Sequence, residues 1–277
     1  MRRVHVATVQ TSSEGGKEQV LAEMKRLAHA ASLMGVDALL FPEGNIHGYD
    51  YGMTKESVAS AAELLVGESA KAVLSMARKH GVTILAGMFE KDKKGNFYNT
   101  HIVAKPNGHL LGQRKHNLTE IELNAGLTPG PRERKTFSIF GVKCAVLVCA
   151  DSGTEGIHED LQKAGVELRF SPCGAGGNWE KDTLGQAELL TEEGRRKYAE
   201  SRQSVCNPGA FDPGFETWKS ANVACNALGR IGEQTYHRGH CSIVDNFGVL
   251  RVQVTGTNVR EHLNPQLISA VLTWDDQ

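Results

Sequence analysis

The sequence predicts one α/β domain, spanning residues 1–277, with two sheets packed face to face and helices outside. Three observations carry this reading. Short runs such as Ala38–Phe41 and Val82–Met88 are apolar on both faces, as parallel strands buried between helices tend to be. Between them lie longer segments with apolar residues at helical spacing. The same order of elements then returns in the second half of the chain, although the sequence self-similarity is weak.

Taken in order, Val4–Val9 opens as a strand. Glu18–Met34 follows with Val20, Met24, Leu27, Ala31 and Met34 on one face, and Gly35 supplies a helix stop. After the strand Ala38–Phe41, Ser57–His80 carries one or two amphipathic helices, with Leu64, Leu65, Ala72, Val73, Met76 and Ala77 as core residues. Val82–Met88 is the next buried strand. Tyr98–Ala104 and Leu110–Gln113 form a hairpin across Asn107-Gly108, because both turn residues tolerate positive φ. A Pro/Gly-rich loop at Leu127–Pro131 leads to a second pair, Thr136–Ile139 and Val142–Val148. A short helix at Gly156–Ala164, a strand at Val166–Ser171, a longer helix at Thr183–Ser204 and a strand at Asn222–Ala227 come next. Asn207–Gly214 is a Pro/Gly loop that lines or covers a pocket. Cys241–Asp245 and Val249–Val254 form a hairpin, and Leu267–Trp274 closes the sheet.

Composition narrows the function. The 277 residues are 40% hydrophobic and 23% charged, enough for a sizeable core. Net charge is -1 with the signs mixed, so nucleic acid and anionic membrane are poor partners and a small molecule a better one. No apolar run reaches the roughly 18 residues that span a bilayer. The start, Met1-Arg-Arg-Val-His-Val, reads as a strand rather than a signal peptide. The six cysteines contain no CxxC pair, which argues against zinc, and most sit in apolar segments as free thiols would in a reducing cytoplasm.

Three reactive residues each follow an apolar run. Glu43 follows Asp37-Ala-Leu-Leu-Phe-Pro, Lys115 follows His109-Leu-Leu-Gly-Gln-Arg, and Cys149 follows Cys144-Ala-Val-Leu-Val. Each polar head therefore sits at the end of a buried strand. Pro42 stops ladder pairing before Glu43, and a carboxylate held against that apolar run has a raised pKa suited to taking a proton from a thiol. Cys149 stands on a strand-to-helix turn whose N–H groups would lower a thiol pKa and favour an oxyanion. A lysine in a dry pocket would stabilise both thiolate and oxyanion. Taken singly, each has a plainer reading: a structural cysteine, a solvated loop glutamate, an exposed strand-end cation.

Together, these segments resemble the nitrilase, or carbon–nitrogen hydrolase, superfamily. Phe41-Pro-Glu-Gly-Asn-Ile-His-Gly-Tyr is similar to its base motif, Gly112-Gln-Arg-Lys-His-Asn-Leu to its lysine motif, and Val146-Leu-Val-Cys-Ala-Asp to its nucleophile motif. Asn99, the hairpin at Pro106-Asn-Gly and Gly239-His-Cys-Ser-Ile-Val-Asp-Asn-Phe-Gly fall in the family's order, so the likeness runs from Val4 to Trp274. It implies a four-layer αββα sandwich, two mixed sheets face to face with helices outside, that pairs into a homodimer or larger homo-oligomer. It also implies a Glu43–Lys115–Cys149 triad with no metal and no cofactor. A second glutamate belongs between lysine and cysteine; alignment back from Pro129-Gly130 favours Glu122, with Glu120 the alternate.

The resemblance implies an amidase-like hydrolase that acts on a small amide or carbamoyl compound. Ala150-Asp151 after the cysteine is nearer to the amidase branches than the Trp-Glu of true nitrilases, and the chain ends soon after its last strand. Nitrile hydrolysis and a silent metabolite-binding relative are the alternatives, with a Cys–His hydrolase using His116 or His47 ranked below them. Two departures bear on substrate. Ser152-Gly-Thr-Glu-Gly replaces the Arg and Pro-Glu that many relatives carry, so the arginine of carbamoyl amino acid hydrolases has no match. Ser171-Pro-Cys-Gly-Ala-Gly-Gly-Asn is small where relatives are often bulkier. The Ala150 N–H is a candidate oxyanion donor, and Tyr49, His116, Asn178 and Trp179 are candidate substrate contacts. Arg195, Arg196 and Arg202 would supply a carboxylate partner only if they leave a solvated helix face.

Overall fold

The computed structural model describes residues 1–50, 52–178, 191–193, 220–230, 235–254 and 265–275. The helix expected over 183–204, with its three arginines, falls outside these apart from 191–193, and so do Trp179, Cys206 and the loop 207–214.

The first sheet has strand order β15-β1-β2-β3-β4-β5. Its strands are β1 (Arg2–Gln10), β2 (Ala38–Leu40), β3 (Thr83–Lys91), β4 (Phe97–Ala104), β5 (Leu110–Arg114) and β15 (Gln266–Trp274). β1, β2 and β3 are parallel, while β15, β4 and β5 pair antiparallel with their neighbours. The second sheet has the order β14-β13-β10-β8-β7-β6. It comprises β6 (Thr136–Ile139), β7 (Val142–Val146), β8 (Leu168–Cys173), β10 (Ala221–Asn226), β13 (Cys241–Val244) and β14 (Leu250–Val254). Here β7, β8 and β10 are the parallel centre. Each sheet is thus a parallel trio with antiparallel flanks, the recurrence expected from the order of elements.

Alternation along the strands sets the layers. Val4, Val6, Leu40, Leu85 and Val103 point from the first sheet to Phe137, Val146, Phe170, Val223 and Ile243 of the second, making the core between the sheets. The opposite face of the first sheet, with Val9, Leu39, Ile84 and Ile102, packs on α1 (Gly16–Leu33) and α3 (Glu68–His80) through Met24, Leu27, Val73 and Met76. On the far side of the second sheet, Ala145 and Leu147 pack on α5 (Ile157–Lys163) through Ile157 and Leu161. The result is the four-layer αββα sandwich.

Shorter elements stand between these, and the one or two helices expected over 57–80 are two. A helix α2 (Lys55–Ala61) stands apart from α3, and α4 (Glu120–Asn124) is a single capped turn. A 3-10 turn spans Cys149–Gly153, ahead of the expected helix, which begins at Ile157. Strands β9 (Gly176–Asn178), β11 (Leu228–Arg230) and β12 (Thr235–Arg238) make a third small sheet. Among the described residues no helix is long and apolar enough to cross a membrane.

Glu43 is aimed by β3. Phe41 N–H still donates to Leu85 O, Pro42 has no N–H to continue, and Asn45 Oδ1 accepts Gly87 N–H at 2.9 Å while Ile46 N–H donates to Gly87 O. That close approach requires Gly87: a β-carbon there would collide with the Gly44 nitrogen and lie 2.9 Å from the Glu43 carbonyl carbon. Gly87→Ala should therefore lower the urea midpoint by an amount equivalent to about 1–3 kcal/mol, the range for overpacking. An unchanged unfolding curve would show that the Glu43 turn shifts freely.

Candidate active site

Glu43, Lys115, Glu122 and Cys149 lie at one end of the sandwich. Glu43 follows the carboxyl end of β2, Cys149 that of β7 and Gly174 that of β8. Because β4 and β5 each reverse direction, the start of β4 with Asn99 and the end of β5 before Lys115 share that end.

Lys115 Nζ donates to Glu43 Oε1 at 2.8 Å and to Glu122 Oε2 at 2.7 Å. All three side chains are 0% exposed. Asn99 Nδ2 bridges the two carboxylates, 2.8 Å from Glu43 Oε1 and 2.7 Å from Glu122 Oε1. Glu43 Oε2 accepts the Gly174 N–H at 2.8 Å. Glu122 Oε2 also accepts the N–H of Thr119, whose hydroxyl caps α4. Thr119-x-x-Glu122 is a capping box, and that spacing was the signal in the sequence for α4. Glu120, the alternate, is exposed.

The charge balance follows from burial. Burial first, then the charge of Cys149, raise the Glu43 pKa well above the ordinary carboxylate value, although Lys115 pulls it down. Burial also opposes the lysine charge, but Glu43, Cys149 and Glu122 together hold the Lys115 pKa above its ordinary value. Lys115 is a charged ammonium at neutral pH, facing two carboxyls.

Cys149 is half-buried, packed at the edge of the core between the sheets and within electrostatic reach of Lys115 and Glu43. Its φ of 49° is left-handed, a conformation that strains a residue with a β-carbon by roughly 1–3 kcal/mol. The expectation of a lowered thiol pKa is corrected here. A hydrogen bond with Cys173, and then burial, push the thiol well above its ordinary value, and the pull of Lys115 and the Gly174 N–H does not offset them. The helix begins at Ile157, as expected, but a 3-10 turn stands between it and Cys149, and Cys173 arrives from β8, a neighbour that the linear sequence does not reveal.

The remaining candidates divide. Among the described residues nothing accepts the Ala150 N–H. Tyr49 is 2% exposed, with its ring 5.6 Å from Lys115 Nζ and its hydroxyl 3.3 Å from Thr119 Oγ1, so it walls the polar cluster. Gly174 packs tightly beside it: a β-carbon there would lie 3.0 Å from the Tyr49 ring and 3.1 Å from Glu43 Oε2, so these side chains would have to give by a few tenths of an ångström. His116 turns its ring away, with Nδ1 2.9 Å from Gly130 O. It lines a separate cleft of about 390 Å³ with Leu123, Pro129 and Thr154. His47 faces Glu63 and the Phe89 N–H. Asn178 belongs to β9, with its side chain outside the described set. Asn99, Asp151 and Arg134 were not singled out as site residues. Asp151 and Arg134 form an ion pair at 2.8 Å with both side chains 1% exposed.

The profile of the carbon–nitrogen hydrolase family matches residues 5–261. The chain belongs to that family. Among curated relatives it is 30% identical to an (R)-stereoselective amidase of Pseudomonas sp. over 132 residues, 48% of this chain and 46% of that one. It is 28% identical to the omega-amidase NIT2 of Danio rerio over 184 residues, 62% of this chain and 64% of the relative. Both alignments span less than two thirds of the relative's own length. A carbon–nitrogen hydrolase structure from Helicobacter pylori G27 superposes with a TM-score of 0.75 at 17% identity, covering 98% of this chain and 89% of the other. The family resemblance drawn from the three motifs, and the sandwich it implied, are borne out.

Removing the shared cation should expose how the carbon–nitrogen hydrolase cluster is balanced. Lys115→Met leaves two buried carboxyls unpaired, so stability at pH 8 should fall by about 3–5 kcal/mol. The loss should shrink at pH 5, because protonation neutralises Glu43, which the fold holds protonated more strongly than the unfolded chain does. Urea unfolding at the two pH values reads this; an equal loss at both would contradict the charge balance.

Proposed function

We propose that this carbon–nitrogen hydrolase cleaves the non-peptide C–N bond of a small amide or carbamoyl compound through a cysteine thioester. The observation that carries the reading is the fully buried Lys115 ammonium, 2.8 Å from Glu43 and 2.7 Å from Glu122, within electrostatic reach of the Cys149 thiol.

Each step uses a group with suitable chemistry. Glu43 takes the thiol proton as the Cys149 sulfur attacks the carbonyl carbon. A carboxylate with a raised pKa is the stronger base for that transfer, and a thiol with a raised pKa needs one. The oxyanion forms between Lys115 Nζ and the Ala150 N–H, both donors in a water-poor site. As the tetrahedral adduct collapses, Glu43 returns its proton to the nitrogen, and ammonia or an amine departs. Water, deprotonated by the same Glu43, adds to the thioester. Collapse frees the acid and restores the thiol. Glu122 and Asn99 touch no reacting atom; they hold the lysine and the base in place.

The named relatives and the Ala150-Asp151 pair after the cysteine support amide over nitrile substrates. Ammonia release from amides, ureido acids and nitriles tests the choice: activity confined to nitriles would reverse it. Cys149→Ala should abolish turnover, and a folded, fully active variant would falsify the mechanism. Lys115→Met should lose about 10²–10³ in kcat, as expected for an oxyanion donor. The base must be ionised to accept a proton, so kcat/KM should decline on acidification through a pKa above the ordinary value of 4.5. An acid limb at or below that value would contradict the role given to Glu43.

A further inference from the structure

The two halves of the site stand on different sheets, yet one carboxylate holds the backbone of both. Asp151 Oδ1 accepts the N–H groups of His116 and Asn117, at 2.9 and 2.8 Å, from the two residues after Lys115. Asp151 Oδ2 accepts the N–H of Val148, the residue before Cys149, at 3.3 Å. In the opposite sense, Asn117 Nδ2 donates to Ala150 O, the residue after Cys149, at 2.8 Å. Arg134 Nη1 donates to Asp151 Oδ2 at 2.8 Å, while its other bonds reach the carbonyls of Arg114, Pro131 and Arg132.

This set of bonds is more than a buried charge and its counter-ion. An ionised carboxylate offers about four acceptor sites, and Asp151 spends three on the backbone flanking the lysine and the cysteine. The lysine is the next residue before His116, and the strained cysteine lies between Val148 and Ala150. A left-handed residue that is not glycine persists only where its surroundings over-determine it, and these bonds lie on both sides of it. We propose that Asp151, neutralised by Arg134 and joined by Asn117, is a positioning brace that sets the gap between the Lys115 ammonium and the Cys149 sulfur. The proposal rests on reading Lys115 and Cys149 as the reacting pair.

Alkylation of Cys149 by iodoacetamide, followed against pH, tests the brace without any substrate. Among the described residues, the groups that act on that sulfur are Lys115, Glu43, Cys173 and the Gly174 N–H. Of these, Lys115 and the Gly174 N–H favour the thiolate. The paired variant Arg134→Met/Asp151→Asn removes both charges together, so no lone ion is left buried. With the brace gone the sulfur drifts from Lys115, and the alkylation midpoint should move to higher pH. In the same protein kcat should fall by about tenfold or more, since a displacement near 1 Å can cost 10²-fold. KM should stay within about twofold, because the bonds lost touch no substrate. Arg134→Lys keeps the charge and should keep the midpoint.

A folded paired variant with unchanged midpoint and kcat would reduce Asp151 to an ordinary structural ion pair. If that variant does not fold, Asn117→Ala carries the same test from a half-buried position, and an unchanged profile there overturns the proposal equally. The two readings fail separately. A fully active Cys149→Ala would remove the nucleophile assignment, whereas the alkylation midpoint of the brace variants would still report the gap between sulfur and ammonium.

Discussion

A cation with no access to water, held between two carboxyls, is the constraint on which the rest of the site depends. Burying an ammonium carries an effective penalty of several kcal/mol unless partners repay it. Lys115 has them in Glu43 and Glu122. Two carboxyls beside one lysine then need further donors, and Asn99, Thr119 and the Gly174 N–H supply them. Each donor comes from a different element, so the cluster fixes the start of β4, the cap of α4 and the turn after β8 relative to one another. Burial first, and the neighbouring negative charge after it, hold the Glu43 pKa above the ordinary carboxylate value.

The thiol deserves a separate physical account. A cysteine in an electropositive turn would rest as a thiolate, ready but also open to unwanted alkylation and oxidation. Here Cys173 and burial favour the protonated form. In the proposed mechanism the thiolate arises as the proton passes to Glu43, so sulfur becomes nucleophilic during attack rather than before it.

Much of this was legible in the sequence, for identifiable reasons. Central strands such as Ala38–Leu40 are buried on both faces and so read as unbroken apolar runs. Glu43, Lys115 and Cys149 were visible as polar heads ending such runs. Glu122 and Glu120 could be ranked only through the family resemblance, because both sit in the same short turn; the structure turns Glu122 inward to Lys115 and leaves Glu120 exposed. The bridge made by Asn99, the Asp151–Arg134 pair and the approach of Cys173 to Cys149 leave no periodic trace, since each joins elements distant in the chain. The strands of the third sheet are only three or four residues long, too short for alternation to show. The local turn alone points to a lowered thiol pKa, and the neighbour that tertiary packing delivers, Cys173, reverses it together with burial.

The division of the site between two sheets also bears on how the molecule comes to life. Glu43 and Lys115 belong to the first half of the sequence, and Cys149 to the second. Sulfur and base meet only when the two sheets dock and water leaves the space between them. Contacts so far apart in sequence form late in folding, because loop closure must precede them. A partly folded chain would thus carry a carboxylate and a thiol that have not yet met. Chemical competence would be the last property acquired, after the compact shape that confines it.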